Sequence, residues 1–265
     1  MSEGRDRARI SALARAVRAG GTRVLDVHSD PWHNRSVFTV AGEPDEMTVS
    51  MARLAVAARS IDLRLHEGVH PRLGALDVCP VVAFRITLSD ATAIALSVAR
   101  AIAARARLPV YLYGAAARRP ETRELPDLRR GGLARLAERA RAGLDPDLGP
   151  SSIDPRRGVV CVGARGPLIA FNVWLQGGVD VARRIAAGVR SSGGGPPGVR
   201  AIGVRVGDRS QVSMNLVAPE VTGIDAAYEA VEARVRELRG SVTATEIVGL
   251  VPERYMPAPN RQAAR

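Results

Sequence analysis

The chain has 265 residues, of which 46% are hydrophobic and 25% charged, as in globular proteins that form one large domain or two small ones. Its formal net charge is +11, yet all 38 cationic residues are arginine, they are scattered through predicted helices, and aromatic residues make up 3%. Because nucleic-acid binders of single strands stack bases on aromatic side chains, we expect no nucleic-acid partner, whereas small anionic ligands remain compatible with arginine forks. No apolar run reaches the roughly 18 residues of a membrane span, and no signal peptide precedes Met1, so we expect a soluble cytoplasmic protein without a membrane partner.

Periodicity and turn residues predict the elements of the first part of the chain. In chain order they are a helix over 5–19, strands over 22–28 and 35–41, a helix over 43–60, a strand over 77–86, a helix that Ser89 caps and that continues to Arg105, a strand over 108–114, a short helix near 132–142 and a strand over 159–164. Cys79 and Cys161 lie in two of these apolar strands, and we expect both to be buried thiols in a reducing compartment.

The second part of the chain has a more regular pattern. It predicts a strand over 167–176, a helix over 179–191, strands over 199–206 and 210–217 that turn at Gly207-Asp208, a helix over 223–239 and a strand over 242–250. This β-α-β-β-α-β order is the ferredoxin-like split unit, and the first part repeats it without an opening strand. We therefore predict an α/β (α+β) protein of two ferredoxin-like subdomains with mixed or antiparallel sheets, residues 1–166 and 167–252, before a disordered tail over 253–265.

His66, Glu67 and His70 have the spacing H-E-x-x-H, which on a helix binds zinc and supplies a general base. A helix is unfavourable here, because Gly68 costs about 1 kcal/mol relative to alanine and Pro71 moves His70 away from helical backbone angles. No histidine follows His70 to serve as a third ligand. We expect a loop and no metal, with a zinc site as the alternative.

All four histidines fall within the first 70 residues, two near the end of a predicted strand and two in the loop after the next helix: His28, His33, His66 and His70. Such a cluster suits proton transfer near neutral pH, since an imidazole changes charge there. The alternative is a set of scattered surface histidines.

Seven collinear segments, which together run from Ser2 to about Tyr255, resemble one known family. They are MSEGRD, LDVHSDPWHNRSVFTVAGEP, HEGVHPRLGALDVCPVV, LPVYLYGAAA, DLGPSSIDPRRGVVCVGARGPLIAFNVWL, QVSMNLV and EIVGLVPERY. The family is glutamate formiminotransferase, which also forms the formiminotransferase domain of formiminotransferase-cyclodeaminase.

The resemblance implies a transferase of one-carbon and histidine metabolism with two ferredoxin-like subdomains and a substrate groove between them. Its activity is the folate-dependent transfer of a formimino group between formiminoglutamate and tetrahydrofolate, with tetrahydrofolate as co-substrate and no metal. The alternative is a folate-binding relative with weak or altered activity, either formyl transfer or regulation. A homodimer is compatible with either reading.

The resemblance also implies site residues. The stretch H-P-R-x-G-A carries the family's catalytic histidine, which is His70 here, with His28, Asn34, Arg35 and Arg72 in supporting positions. The folate-contacting loop corresponds to Gly149, Pro150, Ser151, Ser152, Ile153, Asp154, Pro155, Arg156, Arg157 and Gly158. The arginines among these residues either bind substrate carboxylates, to which a guanidinium is well matched, or are solvated at the surface.

Two positions depart from the family pattern. His28 stands where the family usually has an aspartate that orients the catalytic histidine, and Val69 stands where it usually has glutamate. The family also has a strand before the S-E-G step, and the sequence starts at Met1, directly before that step. We expect the two substitutions to lower the rate of the reaction.

Overall fold

The computed structural model describes residues 1–68 and 72–257. The chain divides into two compact units, Met1–Arg165 and Gly166–Arg265. Within the described ranges, the helices lack the combination of length and apolar character that a membrane crossing requires.

The first unit contains both an antiparallel and a parallel sheet. Its helices and strands are, in chain order, α1 (Arg7–Arg18), β1 (Arg23–Asp30), β2 (Arg35–Ala41), α2 (Pro44–Ala57), β3 (Val78–Val82), α3 (Leu88–Ala106), β4 (Val110–Gly114), α4 (Pro120–Arg123), α5 (Leu125–Arg129), α6 (Gly132–Arg141) and β5 (Val160–Arg165). β1 and β2 form an antiparallel hairpin, and β3, β5 and β4 form a parallel sheet in that order. Helical crossovers such as α3 return the chain in the same direction, which is what a parallel pairing requires.

The main core cluster of the first unit is built from small and medium aliphatic side chains, as the scarcity of aromatic residues predicts, while a second cluster contains Tyr111 and Tyr113. One face of α3 is fully buried and carries alanine, valine and isoleucine side chains such as Ala95, Val98 and Ile102, which pack in the same cluster as the strand residue Val162. α3 is capped by Thr87 and not by Ser89, because Thr87 and Asp90 form a reciprocal capping box.

Both cysteines of the first unit are buried and unpaired, as predicted. Burial disfavours the charged thiolate, so it raises the pKa of Cys79 to about 12 and also raises that of Cys161. These thiols therefore belong to the core and are unsuited to nucleophilic chemistry.

The second unit has the element order β-α-β-β-α-β. Its elements are β6 (Ile169–Gln176), α7 (Val179–Val189), β7 (Val199–Val206), β8 (Arg209–Leu216), α8 (Ile224–Glu237) and β9 (Ser241–Val248). The strands form one antiparallel sheet in the order β7-β8-β6-β9, with α7 and α8 packed on one face through residues such as Phe171, Met214 and Val231. The two units together confirm an α/β fold with parallel and antiparallel sheets, while the ferredoxin-like assignment stays a prediction.

The segment after β9 is described as far as residue 257. Glu253–Tyr255 form a single 3₁₀ turn, and Tyr255 packs against the core of the second unit. The rest of the predicted tail, residues 258–265, lies outside the described residues.

Candidate functional site

The turn that joins β1 to β2 holds a buried histidine against a carboxylate. Oδ1 of Asp30 accepts hydrogen bonds from the backbone N–H groups of Trp32 and His33, and Oδ2 lies 2.7 Å from Nδ1 of the His33 ring. Burial acts to raise the pKa of Asp30, but the hydrogen bonds from the side chain and backbone of His33 outweigh burial and lower this pKa to about 2. Asp30 is therefore an anion that fixes the orientation of the His33 ring.

The neighbouring residue, Asn34, links this turn to two distant segments. Its backbone is in the left-handed region, with a φ of 47°, where asparagine is one of the tolerated residues. Its Oδ1 accepts a hydrogen bond from the N–H of Gly4 at 3.0 Å, and its Nδ2 donates to the carbonyl of Glu67 at 2.9 Å. We call residues 66–72 the histidine-bearing segment. Asn34 thus fixes Glu67, near the start of this segment, against the hairpin.

The segment around His66 is not a helix. The 3₁₀ turn Leu63–Leu65 ends at His66, whose backbone is extended with φ −95° and ψ 118°, and no helix continues through Glu67 and Gly68. The prediction of a loop is therefore confirmed for residues 66–68. Val69, His70 and Pro71 lie outside the described residues.

Gly68 and Arg72, the residues directly before and after 69–71, both contact the hairpin turn. A Cβ atom at Gly68 would lie 2.5 Å from the carbonyl oxygen of His33 and 2.6 Å from Nη2 of Arg72, so glycine is required by close packing. Nη2 of Arg72 donates to the same His33 carbonyl at 3.4 Å, and its Nη1 contacts the ring of His66, 2.9 Å from Nε2. The turn at His33 and Asn34 therefore holds the chain immediately before and after residues 69–71.

Arg72 is partly buried among other cations. Burial lowers its pKa, nearby Arg35 and Arg5 lower it further, and Asp77 acts in the opposite direction. His28 and Arg35 lie on the hairpin itself, where His28 is opposite Val37 and Arg35 is opposite Asp30. A region with several guanidinium groups favours an anionic ligand.

The loop over 149–158 is shaped by two glycines with positive φ. Gly149 has a φ of 83° and Gly158 a φ of 67°, and a Cβ atom on either would meet a backbone carbonyl, Leu108 at 2.3 Å and Leu73 at 2.0 Å respectively. Both glycines therefore serve the packing of the loop, because no other residue fits at these positions without backbone movement.

The same loop runs beside the histidine-bearing segment. The carbonyl of Arg156 accepts a hydrogen bond from the N–H of Leu63 at 2.8 Å, and that of Arg157 accepts one from the N–H of Ala75 at 3.0 Å. Two stretches that lie 82 to 93 positions apart in the sequence are thus joined on both sides of residues 66–72. The structure places Arg156 and Arg157 of the predicted folate loop beside Leu63 and Ala75, on either side of the predicted catalytic segment.

The arginines of the loop already have protein partners. Nε of Arg156 lies 3.3 Å from Oδ2 of Asp62, a carboxylate that Arg64 also binds through Nε and Nη2, and Nε of Arg157 lies 3.8 Å from Oδ2 of Asp154. Ion pairs with partly exposed arginines contribute little to stability.

The described residues contain no group of three or more histidine, cysteine, aspartate or glutamate side chains that could hold a metal ion. The absence of metal from the reaction stays a prediction, since His70 lies outside those residues.

The sequence places His33 in the histidine cluster, but it led us to assign neither His33 nor the nearby Asp30 to the site. Their spacing of three residues in the turn D-P-W-H was a usable signal, because an aspartate at the start of a turn accepts N–H groups two and three residues later. Asp62, which the structure places between Arg64 and Arg156, carried no such signal.

Comparison with known proteins identifies the family. The model of the formiminotransferase domain, N-terminal subdomain, matches residues 1–165, and the model of the formiminotransferase domain matches residues 170–261.

Individual relatives agree with these matches. The chain is 39% identical over 262 residues to a glutamate formimidoyltransferase of Streptococcus pyogenes serotype M1, with 96% of the chain and 88% of the relative covered. It is 36% identical to a glutamate formimidoyltransferase of Thermoplasma acidophilum, with 96% and 87% covered. It is also 39% identical to a formimidoyltransferase-cyclodeaminase of Rattus norvegicus, of which it spans 49%. The chain belongs to the formiminotransferase family.

Proposed function

We propose that this chain catalyses the transfer of a formimino group between formiminoglutamate and tetrahydrofolate, with tetrahydrofolate as co-substrate. The observation that carries the proposal is the similarity to the Streptococcus pyogenes glutamate formimidoyltransferase, which extends over 96% of the chain and 88% of the relative. The names of the relatives do not favour the alternative of a formyl-transferring or regulatory protein.

The chemistry of the reaction sets what the site must supply. The bond between the formimino carbon and the nitrogen of glutamate breaks, and a bond forms between this carbon and a nitrogen of tetrahydrofolate. The accepting nitrogen loses a proton and the glutamate nitrogen gains one. A positioned imidazole performs both proton transfers, which is typically worth about 10² to 10⁴ in rate.

His70 is the residue to which we assign this proton transfer. Support comes from the H-P-R-L-G-A stretch in which it lies and from the fixation of its two flanks, since Gly68 and Arg72 both approach the carbonyl of His33. A rigid support is what general acid–base catalysis needs, because the imidazole must stay within hydrogen-bond reach of the reacting nitrogen.

The supporting residues receive the following roles. Asn34 holds the start of the histidine segment through the Glu67 carbonyl, and Arg72 holds its end. Arg35 and the loop over 149–158, with Arg156 and Arg157, bind carboxylates of formiminoglutamate or folate. His28 lies on the same hairpin, in β1, and takes the place of the aspartate that is usual in the family. Cytoplasmic location, independence of metal and a homodimer remain predictions.

A coupled assay tests the proposal. The purified protein is incubated with formiminoglutamate and tetrahydrofolate, and free glutamate and the formimino-folate product are measured in parallel. We expect both products in equal amounts and no glutamate release when tetrahydrofolate is omitted. A protein that binds folate but forms neither product would contradict the proposed activity and favour a regulatory relative.

A further inference from the structure

Leu73, the residue directly after the histidine-bearing segment, is held by both of its backbone hydrogen-bonding groups. Its N–H donates to Oδ1 of Asp77 at 2.6 Å, and its carbonyl oxygen accepts a hydrogen bond from the N–H of Val159 at 2.9 Å. Its side chain is fully buried in a cluster that also contains Leu128. The chain therefore leaves the histidine-bearing segment at a fixed point of the first unit's core.

Asp77 determines the orientation of the peptide group that joins Arg72 to Leu73. A peptide group is planar, so the hydrogen bond to the Leu73 N–H also fixes the direction of the Arg72 carbonyl. The guanidinium of Arg72 in turn contacts the carbonyl of His33 and the ring of His66. Asp77 thus acts on the histidine-bearing segment through its last residue.

Arg129 of α5 holds the Asp77 carboxylate in the orientation that this hydrogen bond needs. Its Nη2 binds Oδ2 of Asp77, while Oδ1 is turned toward the N–H of Leu73. A charged acceptor forms a stronger hydrogen bond to a backbone N–H than an uncharged acceptor does. Leu128, the residue before Arg129, packs in the same cluster as Leu73, so α5 is positioned by the core that holds Leu73.

The Asp77–Arg129 pair supplies an oriented acceptor more than it supplies stability. Both side chains are largely buried, with 10% of the Asp77 side chain and 19% of the Arg129 side chain exposed. Nε of Arg129 is buried without a hydrogen-bond partner among the described residues. Removal of two charges from water costs free energy that their attraction often fails to offset, and apolar side chains of similar volume frequently stabilise a fold as well or better.

We propose that Asp77, oriented by Arg129, is a positioning residue for the transfer reaction, because its Oδ1 holds the Leu73 N–H and thereby sets where the histidine-bearing segment ends. This inference rests on the proposed function, in which His70, two positions before Arg72, transfers the protons. An imidazole must stay within hydrogen-bond reach of the reacting nitrogen, and a misplacement of about 1 Å can lower a rate about 10²-fold. Asp77 acts through Leu73 and Arg72, and we assign it no contact with a substrate.

Two double variants separate this role from a purely structural one. Asp77→Leu with Arg129→Met removes the buried charges and the acceptor together. Asp77→Asn with Arg129→Met removes the charges but keeps an amide oxygen that can accept the Leu73 N–H. Both avoid the unpaired buried charge that a single substitution in the pair would leave, so both should fold with a melting temperature close to that of the wild type.

Asp147 and Arg119 form the matched control pair. Oδ2 of Asp147 accepts a hydrogen bond from the N–H of Leu112 at 2.8 Å and lies 3.4 Å from Nη2 of Arg119. This pair therefore also joins a buried aspartate to an arginine and to the N–H of a leucine. Leu112 lies in the middle of β4, so Asp147→Leu with Arg119→Met makes the same chemical change away from the histidine-bearing segment.

The experiment measures kcat per folded protein, the KM values of formiminoglutamate and tetrahydrofolate, and the melting temperature. We expect kcat of the Asp77→Leu double variant to fall about 10- to 100-fold while both KM values stay within about twofold. The Asp77→Asn double variant and the control variant should keep kcat within about threefold of the wild type, because each retains an acceptor for the Leu73 N–H.

Wild-type kcat in the Asp77→Leu double variant would overturn the inference and leave the proposed function intact. An equal fall of kcat in the Asp77→Asn double variant or in the control would also overturn it, since the loss would not depend on the acceptor for Leu73. If the leucine variant does not fold, Arg129→Met alone is decisive. It leaves the carboxylate without its orienting partner, so kcat should fall several-fold, and wild-type kcat would overturn the inference. A wild type that releases no glutamate would contradict the proposed function and, with it, this inference.

Discussion

Nδ1 of His33 lies 2.7 Å from Oδ2 of Asp30, and the carbonyl of the same His33 accepts a hydrogen bond from Arg72, one position after the undescribed residues 69–71. The Asp30–His33 pair therefore supports the turn against which the histidine-bearing segment is held. Asp30 is two residues beyond His28, on the same face of β1, because side chains two apart in a strand share a face. A carboxylate is therefore present two residues from His28, the position at which the resemblance implies an aspartate.

Asp30→Asn should destabilise the first unit by about 1 to 2 kcal/mol at neutral pH, since the charged acceptor of three hydrogen bonds is lost. The folded-state pKa of Asp30 is lowered from 3.8 to about 2, so its stabilisation is fully present above pH 4 and is lost as the pH falls through about 2. The free energy of unfolding of wild type and variant, measured in urea from pH 7 down to 2, should converge at the acidic end.

Asp26→Asn is the control for this prediction, because Asp26 is a half-buried aspartate on the same strand. Its effect should stay within about 0.5 kcal/mol. A gap between wild type and Asp30→Asn that is constant down to pH 2 would show that the charge of Asp30 does not stabilise the turn.

Gly68→Ala should disturb the histidine-bearing segment. The new methyl group would lie 2.5 Å from the carbonyl oxygen of His33, so either this turn or the segment must shift, at a cost of about 1 to 3 kcal/mol. We expect a loss of kcat with little change in the affinity for folate, because the segment positions a catalytic group.

Gly166→Ala is the matched substitution at an open position, where a Cβ atom meets no atom within 4 Å. Turnover and melting temperature of this variant should equal those of the wild type. If Gly68→Ala has wild-type kcat as well, the packing of residue 68 on the turn is irrelevant to the reaction.

The double variant Arg156→Ala with Arg157→Ala should weaken folate binding and leave the melting temperature nearly unchanged. Both side chains are partly exposed and form ion pairs with Asp62 and Asp154 that contribute little to stability. Raising the salt concentration should weaken folate binding to the wild type, since exposed charges are screened, and should have less effect on the double variant.

Arg130→Ala with Arg135→Ala is the control pair, two exposed arginines that form ion pairs with Asp127 and Glu138. It should alter neither folate affinity nor its salt dependence. Unchanged folate affinity in the Arg156/Arg157 variant would show that the loop over 149–158 only connects neighbouring elements and does not bind folate through these arginines.

The sequence predicted local elements better than their partners in space. Periodicity and turn residues placed every strand of the second unit within two residues of its observed bounds. The strand predicted over 77–86 ends at Val82, and the apolar Phe84 and Ile86 beyond it are exposed. Hydrophobicity alone could not distinguish these residues from strand residues.

Contacts between distant segments were beyond the reach of sequence patterns. The bond from Asn34 to Glu67 spans 33 residues, and that from Asn172 to Glu246 spans 74. Nothing in the local sequence around each of these residues indicates its distant partner. Their roles follow from strand pairing and loop packing, whereas His70 and the loop over 149–158 were assigned through their resemblance to a family.

The measurement that tests the central claim most directly follows the transferred carbon. Formiminoglutamate labelled with ¹³C at the formimino carbon is incubated with tetrahydrofolate and the wild type, His66→Ala or His70→Ala, and NMR records where the label goes. We expect the label on tetrahydrofolate, in step with released glutamate, for the wild type and for His66→Ala. His70→Ala should bind folate but transfer the label about 10² to 10⁴ times more slowly, or about 3 to 5 kcal/mol of barrier. Label that stays on glutamate or appears in a hydrolysis product with the wild type would contradict the account, and equal transfer by His70→Ala would remove His70 from the mechanism.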